Sequence, residues 1–210
     1  MRRQPLRIRL MSAVLLSAAS LASGQSLASD PAVPPASQDQ MSTAHRYFTD
    51  VVLFNQDGKE MRFYSDLLKG RVVIINVFFT SCTSVCPPMT RTLERIQEWL
   101  GDRLGKDAYI LSISVDPEVD TPPKLKAFGE SFGVKPGWHL LGGKKEDVQF
   151  ALRKIGQFVE ARDNHTTILL VGNERTGLWK KAFGLAKPSE LITVVESVLE
   201  DTGERSVREE

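Results

Sequence analysis

The segment at residues 71–79 constrains the fold of this chain more than any other. It is a near-continuous run of β-branched and aromatic side chains. A strand of this composition is buried on both faces, as in a parallel sheet that is covered by helices. Residues 109–115 have the same character and predict a second buried strand.

Strand and helix patterns alternate through the rest of the chain. Asp57 and Gly58 separate two apolar runs, at 51–54 and 61–64, which predicts a β-hairpin ahead of the first buried strand. After the first buried strand, the patterns predict a helix from Pro87 with Leu104 on its apolar face. After the second, they predict a helix from Pro122 with Thr121 as its N-cap. The rest of the chain predicts a strand at 138–141, a helix and its exit over 148–159, a strand at 166–171, its hairpin partner at 178–183 and a helix after Pro188. This order predicts an α/β fold with a central mixed sheet flanked by helices and an N-terminal β-hairpin.

The ends of the chain differ in composition from this globular part, which is predicted at residues 46–200. A basic start, an apolar stretch at 10–22 and a small-x-small sequence ending at Ala28 predict a secretory signal peptide at residues 1–28. The leader holds no acid, so a mitochondrial transit peptide is the alternative, but its basic and apolar parts are separate and this favours export in a bacterium. Three prolines predict a disordered linker at 29–45, and residues 201–210 are predicted to form a polar tail.

The charge of the chain gives no reason to expect nucleic acid as a partner. Lys and Arg number 27 and Asp and Glu number 26, so the net charge is 27 − 26 = +1. The predicted leader contains four arginines and no acid, so its removal leaves 23 − 26 = −3. No basic face of the kind that binds nucleic acid is evident in the sequence.

Chemistry is concentrated in the segment that holds the two cysteines of the chain, Cys82 and Cys86. They follow the first buried strand, and ligands of open α/β sheets bind beyond the carboxyl ends of strands. Pro87 disfavours helical geometry at Cys86, which predicts a helix from Pro87 with Cys86 at its cap. The helix dipole there favours thiolates. Such a pair can hold a metal, cycle between dithiol and disulfide, attack a peroxide or form a structural disulfide.

The three histidines decide which metal the pair could hold. A structural zinc site needs four protein ligands and would require two of them, whereas Cu(I) accepts two thiolates and one imidazole. His45 falls in the predicted linker and is given no function. His139 lies in an apolar run and is predicted to be packed or capping. His165 lies in a loop before a strand, where a surface histidine is the ordinary interpretation.

Four features in this order resemble the Sco (SenC) family of the thioredoxin superfamily, over roughly residues 46–200. They are the hairpin turn at 55–58, the Cys82-x-x-x-Cys86-Pro87 segment, the Val-Asp-Pro-Glu-x-Asp-Thr-Pro sequence at 115–122 and Asn164-His165-Thr166 ahead of a strand. The resemblance implies a thioredoxin-like fold and binding of copper, as Cu(I), Cu(II) or both. The ligands that it implies are Cys82, Cys86 and His165.

The resemblance also implies a role for that copper. Family members help to deliver it to the binuclear site of cytochrome c oxidase subunit II, which with the predicted leader implies the bacterial periplasm or the outer face of the inner membrane. Another copper or thiol protein, a second copper carrier or a thioredoxin-like reductant are further implied partners. The alternative hypothesis is a thiol–disulfide oxidoreductase, in which Cys82 and Cys86 would be the catalytic pair. A metallochaperone is favoured, and enzymatic activity stays open.

This chain departs from the family pattern between the cysteines and before the histidine. Thr83 and Ser84 stand where many members have Pro and Asp, and Asn164 stands where Asp is common. Both changes remove a carboxylate near the site, so we expect metal affinity and redox poise to differ. A peroxiredoxin-like peroxidase is disfavoured, because Phe79 stands where the Thr-x-x-Cys site of those enzymes has Pro.

Overall fold

The computed structural model describes residues 42–204, and its first helix, α1, spans Thr43–Phe48. This helix overlaps the end of the predicted linker, because Ser42 caps it by accepting the backbone N–H of His45. The predicted signal peptide, linker residues 29–41 and residues 205–210 of the tail lie outside the described residues. Within residues 42–204, no helix is both long and apolar enough to cross a membrane.

A mixed sheet of seven strands forms the centre of the described domain, which confirms the predicted fold class. In chain order the strands are β1 (Val52–Phe54), β2 (Glu60–Arg62), β3 (Val72–Phe78), β4 (Ala108–Ser114), β5 (Trp138–Gly143), β6 (Ile168–Asn173) and β7 (Leu178–Phe183). Across the sheet they lie in the order β2-β1-β5-β4-β3-β6-β7. Strand β3 pairs in parallel with β4 and β4 with β5, while the remaining pairs are antiparallel.

Helices cover both faces of the sheet, as the composition of β3 predicts. The longer ones are α2 (Cys86–Leu100), α3 (Pro122–Ser131), α4 (Lys145–Lys154) and α5 (Pro188–Leu199). All seven residues of β3 are buried. Ile74 belongs to an apolar cluster with α2, α3 and α5, and Ile75 to a second cluster with α4. The carboxyl ends of the parallel strands β3, β4 and β5 therefore lie on the same side of the sheet, which is where a ligand site is expected.

The two predicted hairpins are present and flank the parallel strands. Gly58 adopts a φ of 74° in the β1–β2 turn, a conformation that costs glycine little. Strand β1 also pairs with β5, where a Cβ atom on Gly142 would lie 2.7 Å from the ring of Phe54. Strands β6 and β7 pair along their whole length, and α5 follows at Pro188 as predicted.

Two predicted element boundaries are wrong for local reasons. Phe63 and Tyr64 do not extend β2 but open a π-helical turn, Phe63–Leu68, because the Asp50 and Asp66 carboxylates accept backbone N–H groups around its start. Leu104 does not continue α2, because the helix ends at Leu100 and its C-cap residue, Gly101, adopts a φ of 52°. The Leu104 side chain is still buried, after a short 3₁₀ turn over Gly101–Arg103.

Candidate metal and thiol site

Cys82 and Cys86 lie beyond the carboxyl end of β3, as predicted. The loop that follows the strand turns back on itself, with the Cys82 N–H donating to the carbonyl of Phe79 at 3.1 Å. Cys86 is fully buried and Cys82 is 7% exposed. Both are free thiols.

Helix α2 begins one residue earlier than predicted, so Cys86 is its first residue rather than its cap. Val85 precedes it with φ −88° and ψ −24°. The Cys86 N–H has no partner within the helix and donates instead to Cys82 Sγ at 3.4 Å. This sulfur-capped first turn outweighs the preference of a residue before proline for extended geometry.

His165 joins the two cysteines from a distant part of the chain. A 3₁₀ turn, Arg162–Asn164, precedes it and β6 follows. Its Nε2 lies 3.3 Å from Cys86 Sγ. The two sulfurs and one imidazole nitrogen lie within 4.8 Å of one another, while the His165 side chain remains partly exposed.

The other two histidines lie outside this cluster. His45 stacks on the ring of Tyr64 and its Nε2 lies 3.0 Å from the Asp50 carboxylate. His139 lies on β5, stacked against Tyr109, and burial lowers its pKa, with smaller contributions from Arg71 and Lys59. The prediction of a packed His139 is therefore confirmed.

The two thiols differ in acidity. Burial raises the pKa of the Cys82 thiol, but hydrogen bonds from the Cys86 thiol and backbone and from Ser84 outweigh it, so the net direction is downward. Burial and the neighbouring Cys82 raise the pKa of Cys86 to about 12. The prediction that the helix terminus favours thiolate at both cysteines therefore holds for Cys82 and is wrong for Cys86, where desolvation dominates.

A buried carboxylate that was not predicted as functional holds the cysteine loop. Asp120 is fully buried beyond the end of β4 and accepts hydrogen bonds from the Thr80 N–H, the Thr80 hydroxyl and the Ser114 hydroxyl. Thr80 lies two residues before Cys82, so Asp120 ties the loop to the neighbouring strand. The signal was in the sequence, because residues 115–122 form the third of the four features that resemble the family, but the motif does not say which side chain turns inward.

The departures from the family pattern change the polar groups around the sulfurs. Ser84 places its hydroxyl 3.8 Å from Cys82 Sγ, so a neutral group stands where many members have a carboxylate. Asp163 does not restore a buried charge, because its side chain is 81% exposed and its carboxylate lies 3.8 Å from Arg162 Nε.

The donor set fits copper better than zinc. Two sulfurs and one imidazole are soft or borderline ligands that suit Cu(I). A structural zinc site takes four protein ligands, and the cluster found within residues 42–204 has three.

A family profile described as SCO1/SenC matches residues 39–200. The chain belongs to the SCO1/SenC family. The SCO1 protein homolog of Bacillus subtilis is 35% identical over 118 residues, which is 55% of this chain and 60% of that protein. A Stutzerimonas stutzeri protein described as copper-binding is 29% identical over 108 residues, 51% of this chain and 52% of that one. This SCO1/SenC chain thus spans about half to three-fifths of the curated relatives that it matches.

Solved structures of the family share its fold. A SCO1/SenC family lipoprotein from Bacillus anthracis superposes with a TM-score of 0.60 at 30% identity, covering 71% of this chain and 92% of that one. BsSco is a member of the Sco family of cytochrome c oxidase assembly proteins in which a disulfide switch is described. It gives a TM-score of 0.58 at 30% identity, covering 70% of this chain and 90% of that one. The predicted thioredoxin-like fold is therefore confirmed.

Proposed function

We propose that this protein is an exported copper carrier that assists metallation of the binuclear copper site of cytochrome c oxidase subunit II. The observation that carries the proposal is the cluster of two sulfurs and one imidazole nitrogen within 4.8 Å, at the edge where the parallel strands end. The naming of BsSco as an assembly protein and of the Stutzerimonas stutzeri relative as copper-binding support it.

Copper is the cargo in this proposal rather than a resident cofactor. Cys82 and Cys86 would hold it as thiolates and His165 as a neutral imidazole. Binding releases the thiol protons, so it opposes the raised pKa of Cys86 and weakens as the pH falls. The exposed side chains of Thr83 and Ser84 and the partly exposed His165 leave one side of the site open to a partner.

An anaerobic copper titration of the reduced protein tests the ligand set. We expect about one copper per chain, with Cys82→Ala, Cys86→Ala and His165→Ala each losing tight binding. His139→Phe is the control, because this histidine is packed on β5 away from the cluster. Full retention of both Cu(I) and Cu(II) by His165→Ala would remove His165 from the site.

Target and location need separate measurements. Copper transfer from the loaded protein to an apo subunit II domain should be faster than transfer to an unrelated apo copper protein. The N-terminal sequence of the protein recovered from periplasmic and membrane fractions should begin near residue 29 if the leader is cleaved. Equal transfer to both acceptors would contradict the choice of target.

The difference in pKa between the Cys82 and Cys86 thiols favours a second candidate function, the reduction of disulfides in a partner. The description of a disulfide switch in BsSco also supports it. The Cys82 thiolate would attack a partner disulfide, forming a mixed disulfide and releasing one partner thiolate. Cys86 would lose its proton and attack Cys82 Sγ, releasing the second partner thiolate. The partner disulfide gains two electrons, and the Cys82–Cys86 pair loses two as it forms a disulfide.

Alkylation with iodoacetamide at pH 8 tests this asymmetry. With a pKa of about 12, Cys86 is thiolate in about one molecule in ten thousand at that pH, so Cys82 should react first by a wide margin. In Cys82→Ser the remaining Cys86 should react faster than in the parent, because the sulfur that raises its pKa is gone. A reduction potential below about −300 mV would instead indicate an inert structural bridge.

A further inference from the structure

We propose that Arg162 is a positioning residue for the ligand histidine, holding the turn that precedes His165 through a salt bridge to Asp116. We call this contact the Arg162–Asp116 latch. Its geometry is independent of copper, and its consequence for metal affinity rests on the function proposed above.

The turn needs an anchor because it has little packing of its own. Residues 160–164 are all exposed, and they lie in the connection between α4 and β6. The main-chain bonds of the turn are local, with the N–H groups of Asn164 and His165 donating to Ala161 and Arg162. Such segments open at low free-energy cost unless a side chain ties them to the core.

The Arg162 side chain supplies that tie in two ways. Its Nη1 pairs with Asp116 Oδ2, at the carboxyl end of β4. Its guanidinium also lies over the ring of Phe79, 5.1 Å from the centroid. Phe79 in turn meets the His165 ring edge-on at 5.4 Å. One cation therefore links the histidine turn to the strand ends on which the cysteine loop is built.

The Asp116 side of the latch is more buried than an ordinary surface pair, and its backbone is anchored. Its side chain is 15% exposed, against 44% for Arg162. The Asp116 N–H donates to the Ser114 hydroxyl at 3.0 Å, and that hydroxyl donates to buried Asp120. A carboxylate that is largely buried is screened less by solvent, so this pair should contribute more than an ordinary exposed salt bridge does.

The Arg162 side chain positions the turn, and the main chain of the same residue orients the His165 ring. The Arg162 carbonyl lies 2.9 Å from His165 Nδ1. A carbonyl can only accept, so Nδ1 carries the proton of the neutral ring and Nε2 keeps its lone pair toward Cys86 Sγ. This tautomer is the one a metal ligand needs, and hydrogen bonds of this kind set ligand orientation in metal sites.

Four variants test the latch: Arg162→Gln, Asp116→Asn, the double variant and the conservative Arg162→Lys. Arg95→Gln is the matched control, because Arg95 pairs with Glu98 at 2.8 Å on the exposed side of α2. Circular dichroism and urea unfolding check that every variant is folded. Nitrogen-15 NMR of the metal-free protein then reports the His165 tautomer, and a Cu(II) titration with visible and EPR spectra reports the loaded site.

We expect the parent, Arg162→Lys and Arg95→Gln to keep the Nδ1-protonated tautomer, and Arg162→Gln to give the tautomer mixture of a free imidazole. Copper affinity should fall by about 10–100-fold in Arg162→Gln and in Asp116→Asn. The double variant should fall no further than Arg162→Gln alone, because both single changes remove the same salt bridge.

Two results overturn the latch: an unchanged His165 tautomer in folded Arg162→Gln, or losses in copper affinity that add in the double variant. These outcomes are separate from failure of the proposed function. If the parent binds no copper through Cys82, Cys86 and His165, the function fails. The tautomer comparison in the metal-free protein then still decides the latch.

Discussion

A single buried carboxylate, Asp120, has a larger role in this domain than its place in a loop indicates. It accepts three hydrogen bonds and is fully buried. A carboxylate offers only acceptors, which matches two hydroxyls and one N–H that all donate to it. The charge is therefore satisfied by donors, and the cysteine loop is fixed to the end of β4.

Replacing Asp120 with asparagine should reveal this dependence. The amide group would face donors with a donor of its own, so we expect the free energy of unfolding to fall by about 2–3 kcal/mol. Urea denaturation of the reduced, metal-free protein measures the loss. Asp57→Asn is the control, because Asp57 pairs with Lys126 at an exposed site and should cost less than about 1 kcal/mol. Equal losses in both variants would contradict the role of Asp120.

At the level of elements, β5 carries an unpaired polar atom in the sheet. Among the described residues, the Nδ1 of His139 is buried and has no hydrogen-bond partner. The ring stacks on Tyr109 of β4, 6.4 Å between centroids. The position thus favours a flat, neutral ring, and the Nδ1 atom contributes no hydrogen bond to stability.

This arrangement makes the stability of β5 depend on pH. Burial holds the pKa of His139 below its ordinary value of 6.5 in the folded state, so the unfolded chain binds the proton first. Stability is fully present above about pH 6.5 and falls as the pH drops toward the lowered folded pKa. His139→Phe should remove this slope between pH 7.5 and 5.5 and gain about 1 kcal/mol at pH 7.5. Urea unfolding at several pH values measures this pH dependence of the free energy of unfolding. If the variant keeps the slope of the parent, His139 is not its cause.

For the whole molecule, the proposed copper site would add a link between the cysteine loop and the histidine turn, which already contact each other through Cys86 and His165. A ligand that binds the folded state and not the unfolded one stabilises it by about 2.7 kcal/mol at a hundredfold excess over its dissociation constant. Scaled to a domain of this size, the melting temperature should rise by about 5–10 °C.

Thermal unfolding with and without Cu(I) under anaerobic conditions measures this shift. The Cys82→Ala/Cys86→Ala/His165→Ala variant should show no shift under the same conditions. A shift that persists in the triple variant would place the stabilising copper elsewhere in the molecule.

The sequence predicted the sheet and its connections because β3 and β4 are buried on both faces and the hairpin turns carry clear glycine signals. It predicted Cys82 and Cys86 as a site from their place at a strand end. His165 followed only from the family resemblance, since a loop histidine has no periodicity to interpret. Asp120 and Arg162 were missed, because which charged side chain turns inward is decided by tertiary packing.

Cys86 and His165 are 79 positions apart in the chain, yet Cys86 Sγ lies 3.3 Å from His165 Nε2. In the proposed site, copper would therefore be bound by all three ligands only after these two distant segments have come together in the folded domain. A chain that is truncated or cleaved between Cys86 and His165 would lack the complete ligand set. If the proposal holds, copper retention would report correct folding, because a misfolded or unfolded molecule would lose the complete ligand set and release the ion to other chelators.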